Sequence, residues 1–452
     1  MVSIDRGRLA GLIERERGAY AAGFPRSRAA FAAAEAHLLG GVPMTWMRMW
    51  PGGFPVYQAS AAGARVTDVD GHTFIDFCLG DTGAMAGHSP AAVREAVARR
   101  YSELGGATTM LPTEDAAWVA AELSRRFGAA RWSFTLTATD ANRWAIRLAR
   151  QLTRRPKILV YSYCYHGSVD ESFIVAGPDG PRSRAGNVGA PVDPAVTTRV
   201  VEFNDVAALE RELAPGDVAA VLMEPALTNI GIVLPAPGYL AAVRSLTRQY
   251  GTLLINDETH TFSAGPGGCT RAWGLSPDMV TIGKAIAGGI PAGAYGLSED
   301  LSERILGDST ADIVDTGGVG GTLAGNALSV AAMRATLEGV LTDEAFEGMV
   351  EVATYYTAGV RAVLSSRSVP WHITQLGARA EYRFCPSPPL DGGSSAAAAD
   401  PDLDEYLHLY TVNRGVLMTP FHNMALMCPA TTKADVDAHT AVFASAVDEL
   451  AG

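Results

Sequence analysis

The fold class that this sequence predicts is α/β, with a large domain built on a mainly parallel sheet and a second, smaller lobe. Short apolar runs alternate with helical patterns between about residue 90 and residue 300, which is typical of a parallel sheet covered by helices. The chain has 452 residues and is 48% hydrophobic, so it can bury a large core. The apolar runs are 157–161, 199–203, 218–223, 252–256 and 279–282.

The two ends of the chain differ in pattern from its middle. Leu9, Leu12 and Ile13 have helical spacing, and residues 65–77 alternate apolar and polar positions around Asp70-Gly71, which predicts a β-hairpin. The chain becomes helical again after Thr322. Residues 387–400, rich in proline, glycine, serine and alanine, are interpreted as a surface loop.

Charge and cysteine content argue against several classes of partner. The formal charge is -12, with 36 Lys+Arg against 48 Asp+Glu, so no basic surface is expected for nucleic acid or anionic lipid. Charged residues interrupt residues 1–23, which therefore lack the continuous apolar stretch of a signal peptide. No window of the sequence approaches the run of about 20 apolar residues that a membrane span needs. We expect a cytoplasmic protein, because its five cysteines are scattered and odd in number: Cys78, Cys164, Cys269, Cys385 and Cys428.

Lys284 is the first candidate for chemistry. It follows the apolar run Met279–Ile282 and precedes Gly288-Gly289, and ligands of such sheets bind beyond the carboxyl ends of the strands. An amine in that position is suited to a Schiff base with a carbonyl group. The alternative is a lysine that simply extends from the strand end into solvent.

Asp257 ends another apolar run, 253–256. A carboxylate there can keep a pyridine nitrogen protonated, which strengthens the capacity of the ring to accept electrons. Metal binding by Asp257, Glu258 and His260 is the competing interpretation, but their spacing is not that of a standard zinc site.

Two further segments suit a flat, phosphorylated ligand. Small residues Thr137, Ala138 and Thr139 precede a helix whose free amides could hold a phosphate, although an ordinary N-cap by Thr139 or Asp140 is the simpler explanation of this segment taken alone. Tyr165-His166 follows the run 157–161 and could offer an aromatic plate, although packing alone would also account for the pair.

Taken together and in order, these segments resemble the class III aminotransferase family, which has fold type I of the pyridoxal-phosphate enzymes. The branch with glutamate-1-semialdehyde aminomutase and β-amino-acid aminotransferases is particularly similar. The most specific elements are Thr281-Ile282-Gly283-Lys284 with Gly288-Gly289, and residues 321–328. The resemblance implies a seven-stranded sheet in a large cofactor-binding domain, 76–325, and a small α+β domain formed by segments 1–75 and 326–452.

The resemblance also implies a role for each matching residue. Lys284 would form the Schiff base with pyridoxal 5′-phosphate and move a proton, while Asp257 would pair with the pyridine nitrogen. Thr322 would reach the phosphate in a neighbouring subunit, so a homodimer with shared active sites is expected. The remaining cofactor contacts would come from Thr137, Ala138, Thr139, Tyr165, His166, Glu224, Asn229 and Thr259.

Three departures from the family pattern concern binding. The phosphate turn lacks its usual glycine, and Thr259 stands where valine commonly packs beneath the ring. Residues 418–426 contain no arginine where several relatives hold a substrate carboxylate. Arg48 is the candidate carboxylate contact, because a guanidinium fork suits that group, and Trp50 is a candidate pocket wall. Arg48 packed by cation–π contact between Trp46 and Trp50 is the alternative.

The function predicted on this basis is transamination. An amine or amino acid would donate its amino group, and a keto acid, ketone or aldehyde would accept it. An aminomutase of the glutamate-1-semialdehyde type is one alternative, and a non-catalytic protein that binds pyridoxal phosphate is another.

Overall fold

A computed structural model of the chain describes residues 4–189, 192–307 and 318–451. It divides into two compact units. The first contains Met1–Pro90, Glu347–Pro388 and Ala398–Gly452, and the second contains Ala91–Phe346 and Pro389–Ala397. The first unit therefore draws on both ends of the chain. The units change over near residues 90 and 346, whereas the boundaries at residues 75 and 325 stay predictions.

Helices occur in both units. Within the described ranges, no helix is long and apolar enough to cross a membrane. The α-helices are α1 (Arg6–Gly23), α2 (Pro25–Ala34), α3 (Ala91–Ala98), α4 (Glu114–Phe127), α5 (Ala138–Thr153), α6 (Val206–Leu213), α7 (Tyr239–Gln249), α8 (Gly268–Ala272), α9 (Glu299–Gly307), α10 (Ala327–Gly339), α11 (Asp343–Ser366), α12 (Gly392–Ala397), α13 (Pro401–Val412) and α14 (Lys433–Ala451). A π-helical turn spans Arg99–Leu104, and short 3₁₀ helices span Leu39–Gly41, Thr45–Met49, Asp170–Ser172, Pro194–Val196, Thr261–Ala264 and Lys284–Ala287.

The strands form separate sheets in the two units. They are β1 (Gln58–Ala62), β2 (Arg65–Asp68), β3 (Thr73–Asp76), β4 (Arg131–Thr135), β5 (Lys157–Tyr161), β6 (Ile174–Val175), β7 (Arg182–Ser183), β8 (Thr198–Val201), β9 (Val218–Met223), β10 (Leu253–Asp257), β11 (Met279–Ile282), β12 (Gly293–Leu297), β13 (His372–Leu376), β14 (Arg379–Arg383), β15 (Val416–Leu417) and β16 (Met424–Leu426).

The second unit is built on the predicted mainly parallel sheet, which has seven strands in the order β4-β12-β11-β10-β9-β5-β8. Strand β12 runs antiparallel to both of its neighbours, and the other pairs are parallel. Strands β9 and β10 are buried along their whole length, as expected of a sheet covered on both faces. Helix α5 presents its apolar side, including Ala141, Trp144 and Leu148, to this core.

The first unit contains two smaller sheets. Strands β1-β2-β3-β15 form one, and β13-β14-β16 form the other. The predicted hairpin is confirmed, because β2 pairs antiparallel with β3 and Val66 lies opposite Phe74. Strand β15 joins β3 in parallel from the C-terminal part of the chain, which ties the two ends together in an α+β arrangement.

The interpretation of residues 387–400 as a surface loop is wrong for Gly392–Ala397, which form helix α12 in the second unit. Ser395 is buried and donates a hydrogen bond to the carbonyl of Ile230. A Cβ built at Gly392 would lie 2.2 Å from the carbonyl oxygen of Ser162. Glycine at position 392 therefore permits an approach to Ser162 that a residue with a side chain would block.

We expect the protein to lose stability in mild acid because of two buried histidines in the first unit. Burial lowers the pKa of His408 to about 4 and that of His439 to about 3. In the unfolded chain both histidines would have a pKa of about 6.5. Below that pH the histidines bind protons in the unfolded state but stay neutral in the folded state, so the free energy of unfolding falls as the pH falls. The decrease is up to about 1.4 kcal/mol per pH unit for each histidine.

Denaturant unfolding at pH 7 and pH 5 measures this effect. His439→Phe should remove about half of the histidine contribution while keeping the ring contacts of His439 with Tyr356 and Phe443. The exposed His37 provides the control variant, His37→Gln. An unchanged pH dependence in His439→Phe would contradict the prediction.

Candidate active site

The candidate residues of the second unit meet at one edge of its sheet. Strands β11, β10, β9 and β5 are consecutive neighbours, and all run in the same direction. Lys284 follows β11, Asp257 ends β10 and Glu224 follows β9, while Tyr165 and His166 lie just beyond β5. Parallel strands bring their carboxyl ends to the same edge, so residues far apart in sequence become neighbours.

Asp257 lies at the centre of a buried hydrogen-bond network. Its Oδ2 accepts from Asn142 Nδ2 at 2.7 Å and lies 2.9 Å from His166 Nδ1, while its Oδ1 accepts from the Thr259 backbone N–H at 3.0 Å. Burial raises the pKa of Asp257, but the hydrogen bonds from His166, Thr259 and Asn142 outweigh it and hold the pKa below its usual value. Asp257 is therefore a carboxylate whose charge survives complete burial.

Asn142, on the buried face of α5, was not singled out from the sequence. Its Nδ2 also donates to the His166 carbonyl at 3.1 Å, and its Oδ1 accepts from Thr281 Oγ1 at 2.6 Å. The side chain is fully buried and connects α5, the segment after β5, and β11. The available signal was an amide at a core position of an amphipathic helix, which requires polar partners.

Lys284 begins a short helix in a strained backbone conformation. Its φ is +49°, which is unfavourable for a residue with a side chain and is often found at functional sites. The preceding Gly283 fits closely against Ala138, because a Cβ at residue 283 would lie 2.8 Å from the Ala138 backbone nitrogen. This contact holds the start of α5 against the chain that carries Lys284.

His260 lies beside the Lys284 amine, with 2.9 Å between His260 Nε2 and Lys284 Nζ. From the sequence, His260 is a candidate only as a metal ligand. In the fold the neighbour of His260 is the Lys284 amine. The carboxylate of Glu258, two residues earlier in the chain, is bound by other hydrogen-bond donors. Glu258 accepts from Thr261 Oγ1, from the Cys269 backbone and from Thr270 at 2.5–3.0 Å. Among the described residues, no group of three or more potential metal ligands forms.

The start of α5 combines a capped helix end with a close glycine contact. Thr137 is the N-cap, since its hydroxyl accepts from the Asp140 backbone N–H at 3.2 Å. The N-cap alternative named Thr139 or Asp140, and it is wrong about the capping residue. Thr139 Oγ1 instead accepts from the Ser168 backbone N–H at 3.1 Å, and a Cβ at Gly167 would lie 2.1 Å from that oxygen.

The other predicted cofactor contacts are distributed around this edge. Tyr165 is 37% exposed, and its ring meets Phe173 edge-on at 6.5 Å. Glu224 is buried and accepts a hydrogen bond from Thr228, while the Asn229 amide lies 3.4 Å from the Tyr163 carbonyl. Thr322 lies in an exposed turn.

Arg48 and Trp50 belong to the first unit, whereas Lys284 belongs to the second. Arg48 lies in the short helix Thr45–Met49, where its side chain runs beside Gly40. Trp50 and Trp46 line a cavity within that unit. The ring of Trp46 packs edge-on against Phe421, with 6.0 Å between the ring centres.

The second-unit site offers a fixed set of groups to a ligand. It has an amine at a strand end, a buried carboxylate held by three donors, and the N-terminus of a 16-residue helix. The buried Thr259 hydroxyl beside Asp257 has no hydrogen-bond partner among the described residues. Such groups fit a ligand with a carbonyl, a basic ring nitrogen and a phosphate.

The chain is similar to known proteins over most of its length. A family model described as aminotransferase class-III matches residues 50–447. A glutamate-1-semialdehyde 2,1-aminomutase from Desulfitobacterium hafniense (strain Y51) is 33% identical over 430 residues, covering 91% of this chain and 95% of that protein.

The chain is also similar to solved structures over nearly its whole length. A glutamate-1-semialdehyde-aminomutase variant from Pseudomonas aeruginosa PAO1, in complex with PMP, has a TM-score of 0.96 at 48% identity over 99% of each chain. An omega-transaminase from Sphaerobacter thermophilus has a TM-score of 0.85 at 28% identity, over 94% of this chain and 98% of that chain.

Proposed function

The chain belongs to the class III aminotransferase family, and from that premise we propose that it is an aminotransferase in which Lys284 moves the proton. Its cofactor is pyridoxal 5′-phosphate and its fold is fold type I, as the resemblance implied. The observation that carries the proposal is the Lys284 amine, 2.9 Å from His260, on the sheet edge that also holds the buried Asp257 carboxylate.

The residues of the site suit this cofactor. Lys284 would bind its aldehyde, Asp257 its ring nitrogen, and the amides at the start of α5 its phosphate. When bound, the cofactor supplies a carbonyl that condenses with amines and a ring that accepts the electrons of a substrate carbanion. The unpartnered Thr259 hydroxyl supports this assignment, because a buried hydroxyl without a partner is costly.

The chain's own groups then have distinct tasks. Lys284 Nζ takes a proton from the donor carbon and returns one on the way to product. Asp257 stays ionised because Asn142, His166 and Thr259 donate to it, so its charge can hold a ring nitrogen in the protonated form. Asn142 orients that carboxylate as well, since its amide is held in turn by Thr281.

Transfer between two substrates is distinguished from mutase chemistry by the need for an acceptor. The absence of arginine in residues 418–426 supports transfer from a donor that need not carry a carboxylate. The aminomutase is the second candidate, favoured by the names of the relatives from D. hafniense and P. aeruginosa. An amine donor should give more than one equivalent of carbonyl product per bound cofactor only when a keto acid or aldehyde acceptor is added. Conversion of glutamate 1-semialdehyde without any acceptor would favour the mutase.

His260 should affect the rate through its contact with the Lys284 amine. The hydrogen bond restricts where Nζ can lie, and misplacement of a reacting group by about 1 Å can cost up to about 10²-fold in rate. We expect His260→Leu to slow the half-reaction with an amine donor by about tenfold or more. His260→Gln keeps a hydrogen-bonding group and should recover most of that loss.

Stopped-flow absorbance of the bound cofactor measures the His260 effect, with His37→Leu at an exposed site as the control. Equal rates for His260→Leu and the wild type would rule out the positioning role. A loss that His260→Gln does not recover would indicate a general packing defect.

We also propose that the enzyme is a cytoplasmic homodimer in which Thr322 contacts the cofactor of the partner subunit. The exposed position of Thr322 is compatible with such a contact. Lys284→Ala and Thr322→Ala chains, refolded together, should regain activity that neither has alone, because one of the two shared sites is then intact. Full activity of Thr322→Ala by itself, or a mixture no more active than the two variants measured separately, would contradict this arrangement.

A further inference from the structure

The second unit contains a cavity beside α7, above one face of its sheet. Its volume is about 830 Å³, within the usual range of small-ligand sites. The floor consists of Met223, Leu254 and Asn256, which belong to β9 and β10. Helix α7 forms one wall, and residues 273–276 form part of another. Strands of a parallel sheet are normally covered on both faces and closely packed, so an open space of this size above β9 and β10 calls for an occupant.

This cavity lies on the opposite face of β10 from the Asp257 carboxylate. Successive side chains of a strand point to opposite faces. Asn256, on the cavity floor, donates from Nδ2 to Thr270 Oγ1 at 3.0 Å, whereas Asp257 accepts from Asn142 on α5. The described residues that line the cavity include none of the predicted cofactor contacts. The cavity is therefore distinct from the site at Lys284.

Apolar side chains form most of the wall. Trp273 is 37% exposed and Leu234 is 41% exposed, although both are large and hydrophobic. Both line the cavity, together with the partly buried Leu240 and Leu275. Exposed apolar side chains that meet around one concave space favour a ligand with an aromatic or aliphatic body.

Two arginines of α7 carry the charge of the wall. Arg244 and Arg248 are four residues apart, so they lie on the same side of the helix. The charge of Arg244 is balanced, because its terminal nitrogens contact the Asp278 carboxylate at 2.7 and 2.8 Å. Arg248 is exposed, and its side chain makes no ion pair or hydrogen bond with any residue that the structure describes.

The wall is positive although the chain as a whole carries a formal charge of -12. Within the described ranges, no aspartate or glutamate lines the cavity. An anion would therefore meet the unpaired guanidinium of Arg248 without facing a carboxylate, whereas a cation would be repelled. A guanidinium is weakly hydrated and binds a carboxylate through two parallel hydrogen bonds, so one unpaired arginine suits one carboxylate.

We propose that this cavity binds a small organic anion, a carboxylate carried on an aromatic or aliphatic body. The body lies against Trp273 and Leu234, above the floor of β9 and β10. The carboxylate pairs with Arg248 at the open side of the cavity. This site does not depend on the proposed aminotransferase chemistry, since its lining residues belong to the other face of β10.

Cinnamate is a suitable probe, because it has a flat apolar body, a single negative charge and no amine that could condense with the cofactor. Isothermal titration calorimetry measures its binding to the holoenzyme, beside the neutral cinnamyl alcohol and the cationic cinnamyltrimethylammonium. We expect cinnamate to bind about tenfold more tightly than either, since a charged hydrogen-bonded pair typically contributes that much. Equal binding of the three compounds, or tighter binding of the cation, would overturn the proposal.

Variants on α7 test whether cinnamate binds in this cavity. Arg248→Gln should weaken cinnamate by about fivefold or more while leaving the alcohol unchanged, because only the charge is lost. Ser245→Trp should weaken both compounds, since a large ring then fills part of the space. Both positions are exposed, and thermal unfolding checks that each variant folds. Arg211→Gln, at an exposed arginine of α6 outside the cavity, is the matched control. Cinnamate binding that persists unchanged in both folded variants would refute the assignment.

The visible absorption of the bound cofactor separates this cavity from the site at Lys284. Saturation with cinnamate should leave the absorption unchanged, because the ligand lies on the other face of β10. A change in the absorption that is equally large in Arg248→Gln would place the anion at Lys284 and would overturn the proposal. Loss of amino-group transfer in any variant leaves the calorimetric result intact, so the two proposals can fail independently.

Discussion

Lys284→Ala is expected to lower the rate of amino-group transfer by at least 10²- to 10⁴-fold, which is the typical contribution of a positioned proton-transfer group. The rate falls because alanine leaves no amine between β11 and the start of α5. Water could act as the base in place of the lysine, but it would not be held in a fixed position. The half-reaction with an amine donor, followed through the visible absorption of the cofactor, measures the loss.

The lysine content of the chain makes this test specific. Lysine occurs at only three positions: Lys157, Lys284 and Lys433. Lys157 lies 3.6 Å from Asp217, and Lys433 lies 2.6 Å from Glu351, so both serve as surface ion-pair controls. Lys157→Ala and Lys433→Ala should retain nearly full activity, because exposed ion pairs contribute little.

Borohydride reduction of the holoenzyme gives an independent readout. It should attach the cofactor to the peptide that contains Lys284, and mass spectrometry then identifies the modified residue. A modified peptide containing Lys157 or Lys433, or undiminished turnover in Lys284→Ala, would refute the assigned role.

Asp257→Ala should have the second-largest effect, on both activity and stability. Its removal leaves the buried donors of Asn142 and His166 without their acceptor, which typically costs about 1–3 kcal/mol for each unsatisfied group. It also removes the charge that would hold a ring nitrogen protonated. We expect a loss of transfer rate of about 10²-fold or more, since fixed charges in dry sites commonly contribute that much.

Asp257→Asn separates the two effects. The amide has nearly the same shape, so the fold should be closer to wild type in thermal unfolding, whereas the missing charge should still reduce the transfer rate. Asp278→Asn is the matched control, because Asp278 lies just before β11 and pairs with Arg244 at 2.7 Å. If Asp257→Asn retained the wild-type rate, the carboxylate would be needed for folding alone.

Sequence patterns were sufficient for the framework of the site. The buried β-strands and the residues that end them predicted the parallel sheet, because apolar runs and strand-end polar groups are local features. The same patterns identified Lys284 and Asp257 as candidates, and the resemblance to the family then supplied the cofactor. The hairpin around Asp70-Gly71 was also predictable, since turn chemistry depends on adjacent residues.

Tertiary structure alone decided which side chains meet. His260 was a metal candidate until the fold placed it beside Lys284, and Asn142 became visible only when α5 packed over β10 and β11. The segment Gly392–Ala397 has the composition of a loop but forms a helix. Its glycine at position 392 packs closely against Ser162, and that contact is made between residues distant in sequence. These outcomes depend on contacts between residues distant in sequence, whereas composition and periodicity report only on neighbours along the chain.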